Sequence, residues 1–185
     1  MGTPKQLLEI NGQTLVRRAA TTALSSQVDE VIVVVGGAAD QVRASLEGLP
    51  VRSVLNPDFV EGMSTSLRVG VQSLQAESQA VLVLLADQAL LRPEVLNALV
   101  ERYLESGAPI VLPSYAGTPG NPVLLDHSLF PELLAVQGDA GAREVVRRHL
   151  GEAVIVPFAD ANLQLDVDTW DEYQTARSLA AQHDG

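Results

Sequence analysis

Asp87 closes the apolar run Val81-Leu-Val-Leu-Leu-Ala, and a carboxylate at the carboxyl end of such a run can hold a divalent cation against phosphate oxygens. Taken alone, an aspartate in that place more often caps a helix or forms a turn. Asp166 and Asp168, in Leu165-Asp-Val-Asp-Thr169, are spaced so that an extended backbone turns both carboxylates to one side, with one of them expected to cap the final helix. Lys5 is the sole lysine, and the rest of the Lys+Arg total of 12 is arginine, so phosphate chemistry must use a few placed cations. In Asn56 to Ser66, Gly62 permits close approach, and Ser64 and Ser66 offer hydroxyls at a helix start that binds anions or polar ligand edges. The alternative is that Ser64 merely caps the helix Thr65 to Leu74. Gly138-Asp-Ala-Gly-Ala-Arg143 also puts small residues and a cation at a helix start, suited to a phosphate or to an ordinary capped surface helix. His127, His149 and His183 are scattered without metal-ligand spacing and are assigned no role.

The elements that position these residues follow from hydrophobic period. Val31 to Val35, Val81 to Leu85 and Ile110 to Leu112 lack alternation and read as strands buried on both faces. Between them lie helical periods: Leu15, Ala19 and Ala23; Met63, Leu67, Val71 and Leu74; Leu96, Leu99, Val100 and Tyr103. Pro93 suits a first helical position and Gly107 a helix end. Alternating strands and helices predict an α/β fold: three layers, a doubly wound and mostly parallel sheet, in one domain over residues 1–185. After Pro113 the Gly- and Pro-rich stretch to Pro122 predicts a hairpin or insert at the sheet's edge, ahead of Val123 to Leu125. Short helices are expected at Leu129 to Ala135 and Ala140 to Leu150, then a strand at Val154 to Pro157 and a helix from Thr169.

Composition narrows the function. A formal charge of −11 disfavours nucleic acid, whose phosphates need clustered cations. No cysteine means no disulfide, thiolate metal site or cysteine nucleophile. No run approaches the ~20 apolar residues of a membrane span, and a cytoplasmic protein is expected.

Taken together, the segments resemble the molybdenum cofactor cytidylyltransferases of the MobA-like nucleotidyltransferase family. Met1-Gly-Thr-Pro-Lys-Gln-Leu-Leu8 is similar to the tail of that family's opening signature. Glu61-Gly-Met-Ser-Thr-Ser-Leu-Arg68, Leu84-Leu-Ala-Asp-Gln88, Gly120-Asn-Pro-Val123, Gly138 to Arg143 and Leu165 to Thr169 follow in the family's order. Each motif is weak alone; the ordered set, running through nearly the whole chain, is specific. Ala89, Asn121 and Trp170 depart from the family's usual Pro, His and Pro. The larger departure is that the family's first strand and its Gly-x-Ser-x-Arg phosphate loop have no counterpart. That strand is central, so a sheet without it would carry an apolar gap or two unpaired edges. Met1 is accordingly expected to be an internal methionine of a longer protein.

The resemblance implies a Mg²⁺-dependent transfer of CMP from CTP to molybdopterin with release of pyrophosphate. Lys5 would contact the nucleotide phosphates, Asp87 would hold Mg²⁺, and Asp166 or Asp168 would complete the metal site. Gly62, Met63, Ser64 and Ser66 would lie near base or ribose, and Asn121, Pro122, Asp139 and Arg143 would line the pterin side. A client molybdoenzyme is a further implied partner. The alternatives are a transferase of the same fold that uses GTP or activates a sugar phosphate, and a non-catalytic protein that binds and delivers molybdopterin.

Overall fold

A computed structural model describes residues 4–183. Met1, Gly2 and Thr3, which open the Pro-Lys-Gln motif, lie outside the described residues, as does the side chain of His183.

The chain begins with a 3₁₀ turn, Lys5–Leu7, and a hairpin of β1 (Glu9–Ile10) and β2 (Gln13–Thr14). The hairpin turns on Asn11-Gly12, both at positive φ, as a two-residue connection matching strand twist requires. Then come α1 (Leu15–Leu24), β3 (Ile32–Val35), α2 (Ala39–Ser45), β4 (Arg52–Leu55), α3 (Met63–Gln72), β5 (Ala80–Val83) and α4 (Pro93–Ser106). The remainder is β6 (Ile110–Tyr115), β7 (Thr118–Pro119), β8 (Val123–Asp126), α5 (Phe130–Ala135), α6 (Arg143–Arg148), β9 (Ala153–Phe158) and α7 (Trp170–His183). Among the described residues, no helix is long and apolar enough to cross a membrane.

Period-2 alternation on β6 builds the three layers. Ile110 and Leu112 share a core with Val71 of α3, Leu133 of α5 and Val145 of α6, whereas Val111 packs with Leu99 of α4 on the other face. Every residue of β6 is buried. β9 pairs with it in parallel over six residues, Ile110↔Ala153 to Tyr115↔Phe158. β8 runs antiparallel to both β5 and β6, so β5 and β6 point the same way. The expected edge insert is thus only β7. The run Val123 to Leu125 instead fills the sheet between β5 and β6, because the turn at Ala116 and Gly117 folds the chain back along β6.

Two elements were not legible as such. β4 carries Arg52 and Ser53 at its start, so it has no apolar run, and α2 is a seven-residue helix. The helix expected at Ala140 to Leu150 is shorter, Arg143–Arg148, since Gly141 lies against Met63 and the preceding residues pack on α3.

β3 pairs in parallel with β4 alone, and β5 with β8 alone, among the described residues. Between β3 and β5 lies a cavity of about 1030 Å³, walled by residues 31–35 on one side and 80–87 on the other. The two runs expected to be buried on both faces are therefore only partly buried: in β5 no residue is fully covered, and in β3 only Val35 is. Were it an enclosed void, this volume would cost on the order of 25 kcal/mol at ~24 cal/mol per Å³. That exceeds the ~5–15 kcal/mol that stabilises a whole domain.

Candidate active site

The chain leaves β5 at Val83, and Leu84 to Ala86 carry it to Asp87 and Gln88. There it meets the return from β9: Gln88 forms an isolated bridge with Asp166, and the Val167 amide donates to the Asp87 carbonyl at 3.1 Å. This crossing sets three carboxylates at one end of the sheet. Lys5, held by the turn before the β1/β2 hairpin, reaches them from the other side. Its Nζ donates to Asp168 Oδ1 at 2.7 Å and to Asp87 Oδ2.

The charges do not balance, since three carboxylates face one ammonium. Asp87 Oδ1 and Asp166 Oδ1 are buried without a hydrogen-bond partner, as is Gln88 Oε1. Burial, then the negative charges of Asp87 and Asp168, push the Asp166 pKa up. Burial alone would lower that of Lys5, but the bonds from Asp168 and Asp87 outweigh it and the net shift is upward. Buried carboxylate oxygens with no donor are the kind of group that a hard divalent cation satisfies. Among the described residues, no three His, Asp or Glu side chains converge tightly enough to hold a metal as they stand. Lys5 sits between Asp87 and Asp168 instead.

Neither Asp166 nor Asp168 caps the last helix, contrary to expectation. Thr169 does so: its Oγ1 accepts from the Glu172 amide at 3.2 Å, while Glu172 Oε2 accepts from the Thr169 and Asp168 amides at 2.7 and 3.0 Å. This reciprocal capping box leaves both aspartate side chains to the site.

The expected nucleotide-binding residues divide. Met63 and Ser66 line the cavity shared with Lys5, Asp87, Gly36 and Gly37. Gly62 and Ser64 turn elsewhere. Gly62 has φ +114, and a Cβ there would meet the Gly138 carbonyl oxygen at 2.5 Å, so only glycine fits. The Ser64 amide donates to that same carbonyl at 3.1 Å, and Ser64 is 1% exposed. Ser64 is not the cap either, because α3 begins one residue earlier, at Met63.

The expected pterin-side residues also divide. The Asn121 carbonyl accepts from Gln88 Nε2 at 3.3 Å and from the Tyr115 hydroxyl at 2.8 Å, which ties Asn121 and Pro122 to the aspartate cluster. Burial, then the charge of Asp166, raises the Tyr115 pKa. Asp139 instead accepts from the Met63 amide at 3.3 Å, and Arg143 is exposed at the first residue of α6.

Asn56, Thr65 and Gln88 are buried polar residues inside segments that the sequence singles out, though none of them carries an expected role of its own. Asn56 Nδ2 donates to Thr65 Oγ1 at 2.8 Å and to Ser66 Oγ at 2.9 Å, fixing the start of α3 from the end of β4. The rule that polar residues after strands deserve scrutiny points to the segment opening at Asn56, but which of its side chains anchors α3 is decided by packing.

The chain is similar to known proteins along most of its length. Residues 1–154 match the model of a family described as the MobA-like NTP transferase domain. Nicotine blue oxidoreductase of Paenarthrobacter nicotinovorans is 35% identical over 178 residues, covering 90% of this chain and 84% of that protein. Purine catabolism protein PucB of Bacillus subtilis is 30% identical, covering 96% and 89%. Among solved structures, the Rv0371c homologue from Mycobacterium sp. strain JC1 superposes with a TM-score of 0.87 at 28% identity, covering 99% of this chain and 91% of that one. Rv0371c of Mycobacterium tuberculosis, in complex with manganese, gives 0.79 at 27% identity, with 96% and 93% covered.

Proposed function

This chain belongs to the MobA-like NTP transferase domain family, and from that premise we propose that it transfers CMP from CTP to molybdopterin, releasing pyrophosphate. The observation that carries the reading is the convergence of Lys5, Asp87, Asp166 and Asp168, with two carboxylate oxygens buried and unsatisfied.

In the proposed step an oxygen of the molybdopterin phosphate attacks the α-phosphorus of CTP, the bond from that phosphorus to the bridging oxygen breaks, and pyrophosphate leaves. A phosphate monoester, with second pKa near ~6, is already largely dianionic at neutral pH, so the nucleophile needs no dedicated base. The requirement is charge neutralisation and alignment. Lys5 supplies a cation at the carboxyl end of β5, and its upward pKa shift keeps it protonated. Mg²⁺ would be held by Asp87 with Asp166 and Asp168, and would screen the phosphate charges. The orphaned oxygens of Asp87 and Asp166 fit that role, and the manganese complex of Rv0371c is a precedent for a divalent ion in a protein of similar structure. Met63 and Ser66 border the cavity on the nucleotide side; Gly62 and Ser64 hold the loop of Gly138 that shapes it. Asn121 and Pro122 beside Gln88 would flank the acceptor, and Asp139 and Arg143 would approach it from the α3 side, where Asp139 accepts from the Met63 amide.

The choice of CTP over GTP rests on the Pro4-Lys-Gln6 and Gly62-Met-Ser-Thr-Ser66 segments. The test is pyrophosphate release on mixing the protein with molybdopterin, Mg²⁺ and equal CTP and GTP, followed by identification of the product. Cytosine dinucleotide is expected. Pterin binding without pyrophosphate release would favour a carrier, and turnover of a redox substrate without it would overturn transfer altogether.

A further inference from the structure

The chain turns back on itself after Tyr115, and the turn lays residues 120–122 across the end of β6 as a strap. Tyr115 pairs with Thr118, and the Gly120 amide donates to the Pro113 carbonyl at 3.0 Å. A Cβ on Gly120 would stand 3.1 Å from a ring carbon of Tyr115, so the strap rests directly on the ring. The ring's other neighbours are apolar: Phe158, with centroids 5.9 Å apart, and Leu96 and Leu163. Tyr115 is fully buried, and its hydroxyl is the one polar group that it brings beneath the strap.

That hydroxyl donates to the Asn121 carbonyl at 2.8 Å, and Gln88 Nε2 donates to the same oxygen at 3.3 Å. A carbonyl oxygen only accepts and has two lone pairs, so these two donors saturate it. One donor comes from the end of β6. The other comes from the segment after β5 that carries Asp87 and bridges to Asp166. Burial and the charge of Asp166 keep the phenol protonated, so it remains a donor around neutral pH. The Asn121 carboxamide differs: it is partly exposed and has no hydrogen-bond partner among the described residues. The backbone of the strap is thus held from two elements while its polar side chain is left for a ligand.

We propose that Tyr115 and Gln88 are positioning residues for the acceptor: by holding the Asn121 carbonyl, they set the Asn121 carboxamide at a fixed place beside the aspartates, where it bonds to the acceptor. The inference rests on the transfer reading, which identifies the acceptor as molybdopterin. Neither Tyr115 nor Gln88 touches the substrate. Tyr115→Phe keeps the ring under the strap and removes one of the two donors, so the strap stays folded but is held less firmly. A bond lost between neutral groups corresponds to about a fivefold change in affinity. The nucleotide side is built instead on Met63 and Ser66 of α3, so CTP affinity should not follow.

The test is titration of the whole protein with molybdopterin, followed by pterin fluorescence, alongside kcat and the KM for CTP in pyrophosphate release. Tyr115→Phe is expected to weaken molybdopterin binding about fivefold, with kcat and the KM for CTP within about twofold of wild type. Gln88→Met should weaken molybdopterin binding by a similar factor. Asn121→Ala should weaken it at least as much, and Tyr115→Phe should add nothing in that background, because its effect passes through Asn121. Tyr103→Phe removes a hydroxyl at the other end of the sheet and should leave molybdopterin affinity unchanged. Wild-type affinity in Tyr115→Phe overturns the proposal. So does a further loss of about fivefold in the Asn121→Ala background, or an equal rise in the KM for CTP, since either would mean general loosening. A wild-type protein that binds molybdopterin without releasing pyrophosphate would overturn transfer, while the same affinities would still decide this inference. One that binds no molybdopterin would overturn both.

Discussion

β6 and β3 are both runs of apolar residues in the same sheet layer, yet every residue of β6 is buried and most of β3 is not. Composition does not separate them: Ile32–Val35 is as apolar as Ile110–Leu112. Neighbours do. β6 has β8 and β9 on its two edges and helices on both faces, whereas β3 has β4 on one edge and the cavity on the other. A buried strand is thus a property of the sheet around it. The aspartates project from the closed half, and Lys5 reaches Asp87 and Asp168 from a turn whose Leu7 shares a core with Val35 and Val42 of the other half.

The largest expected effect tests that span. Asp87→Ala should lower pyrophosphate release by about 10³-fold or more, and Lys5→Ala by roughly 10²-fold, each with far-UV circular dichroism unchanged. Wild-type turnover by Asp87→Ala would detach the chemistry from the closed half. Next, Leu125→Ala in the closed half should cost about 2–5 kcal/mol in urea denaturation, because its cavity is walled on all sides. Val34→Ala beside the cavity should cost roughly 1 kcal/mol or less, since its surroundings are already loose. Equal costs would mean that the two halves are packed alike.

The smallest effect lies where the closed half is pinned at its other end. The Tyr103 hydroxyl donates to Asp126 Oδ2 at 2.6 Å. Burial would raise the Asp126 pKa, but bonds from Ser128 and Tyr103 hold it down at about 2. Burial and the same carboxylate push Tyr103 up to about 12. A depressed carboxylate stabilises the fold above its ordinary pKa of 3.8 and loses that contribution as pH falls toward 2. A raised tyrosine stabilises below its ordinary 10.0 and loses its contribution as pH climbs to 12. Tyr103→Phe should therefore cost about 1 kcal/mol between those limits, with the difference from wild type shrinking outside them. A cost independent of pH would assign the effect to packing instead.

The residues of the candidate site were legible where a motif fixes the local chain. Asp87 and Asp168 could be named because an aspartate after an apolar run, or in an extended Asp-x-Asp before a helix, has few places to point. Asn56 opens a candidate segment but was given no role of its own, because β4 begins with Arg52 and Ser53 and has no apolar signature to mark Asn56 as a strand end. The division of the expected substrate residues, with Asn121 at Gln88 and Asp139 at Met63, could not be read either. It depends on where the loop of Gly138 lands on α3, and that contact joins positions 76 residues apart.

The sequence by itself determined the alternation of helix and strand, the ends of α4 at Pro93 and Gly107, and the carboxylates at the strand ends, all set by hydrophobic period and by residues with restricted backbones. Only the tertiary structure decided that Val123–Asp126 enters the sheet rather than edging it, and that Thr169 rather than an aspartate caps α7. Those outcomes turn on hydrogen bonds and packing between distant segments. A backbone edge exposes the same N–H and C=O groups whatever its side chains, so its partner is chosen by what the fold brings beside it.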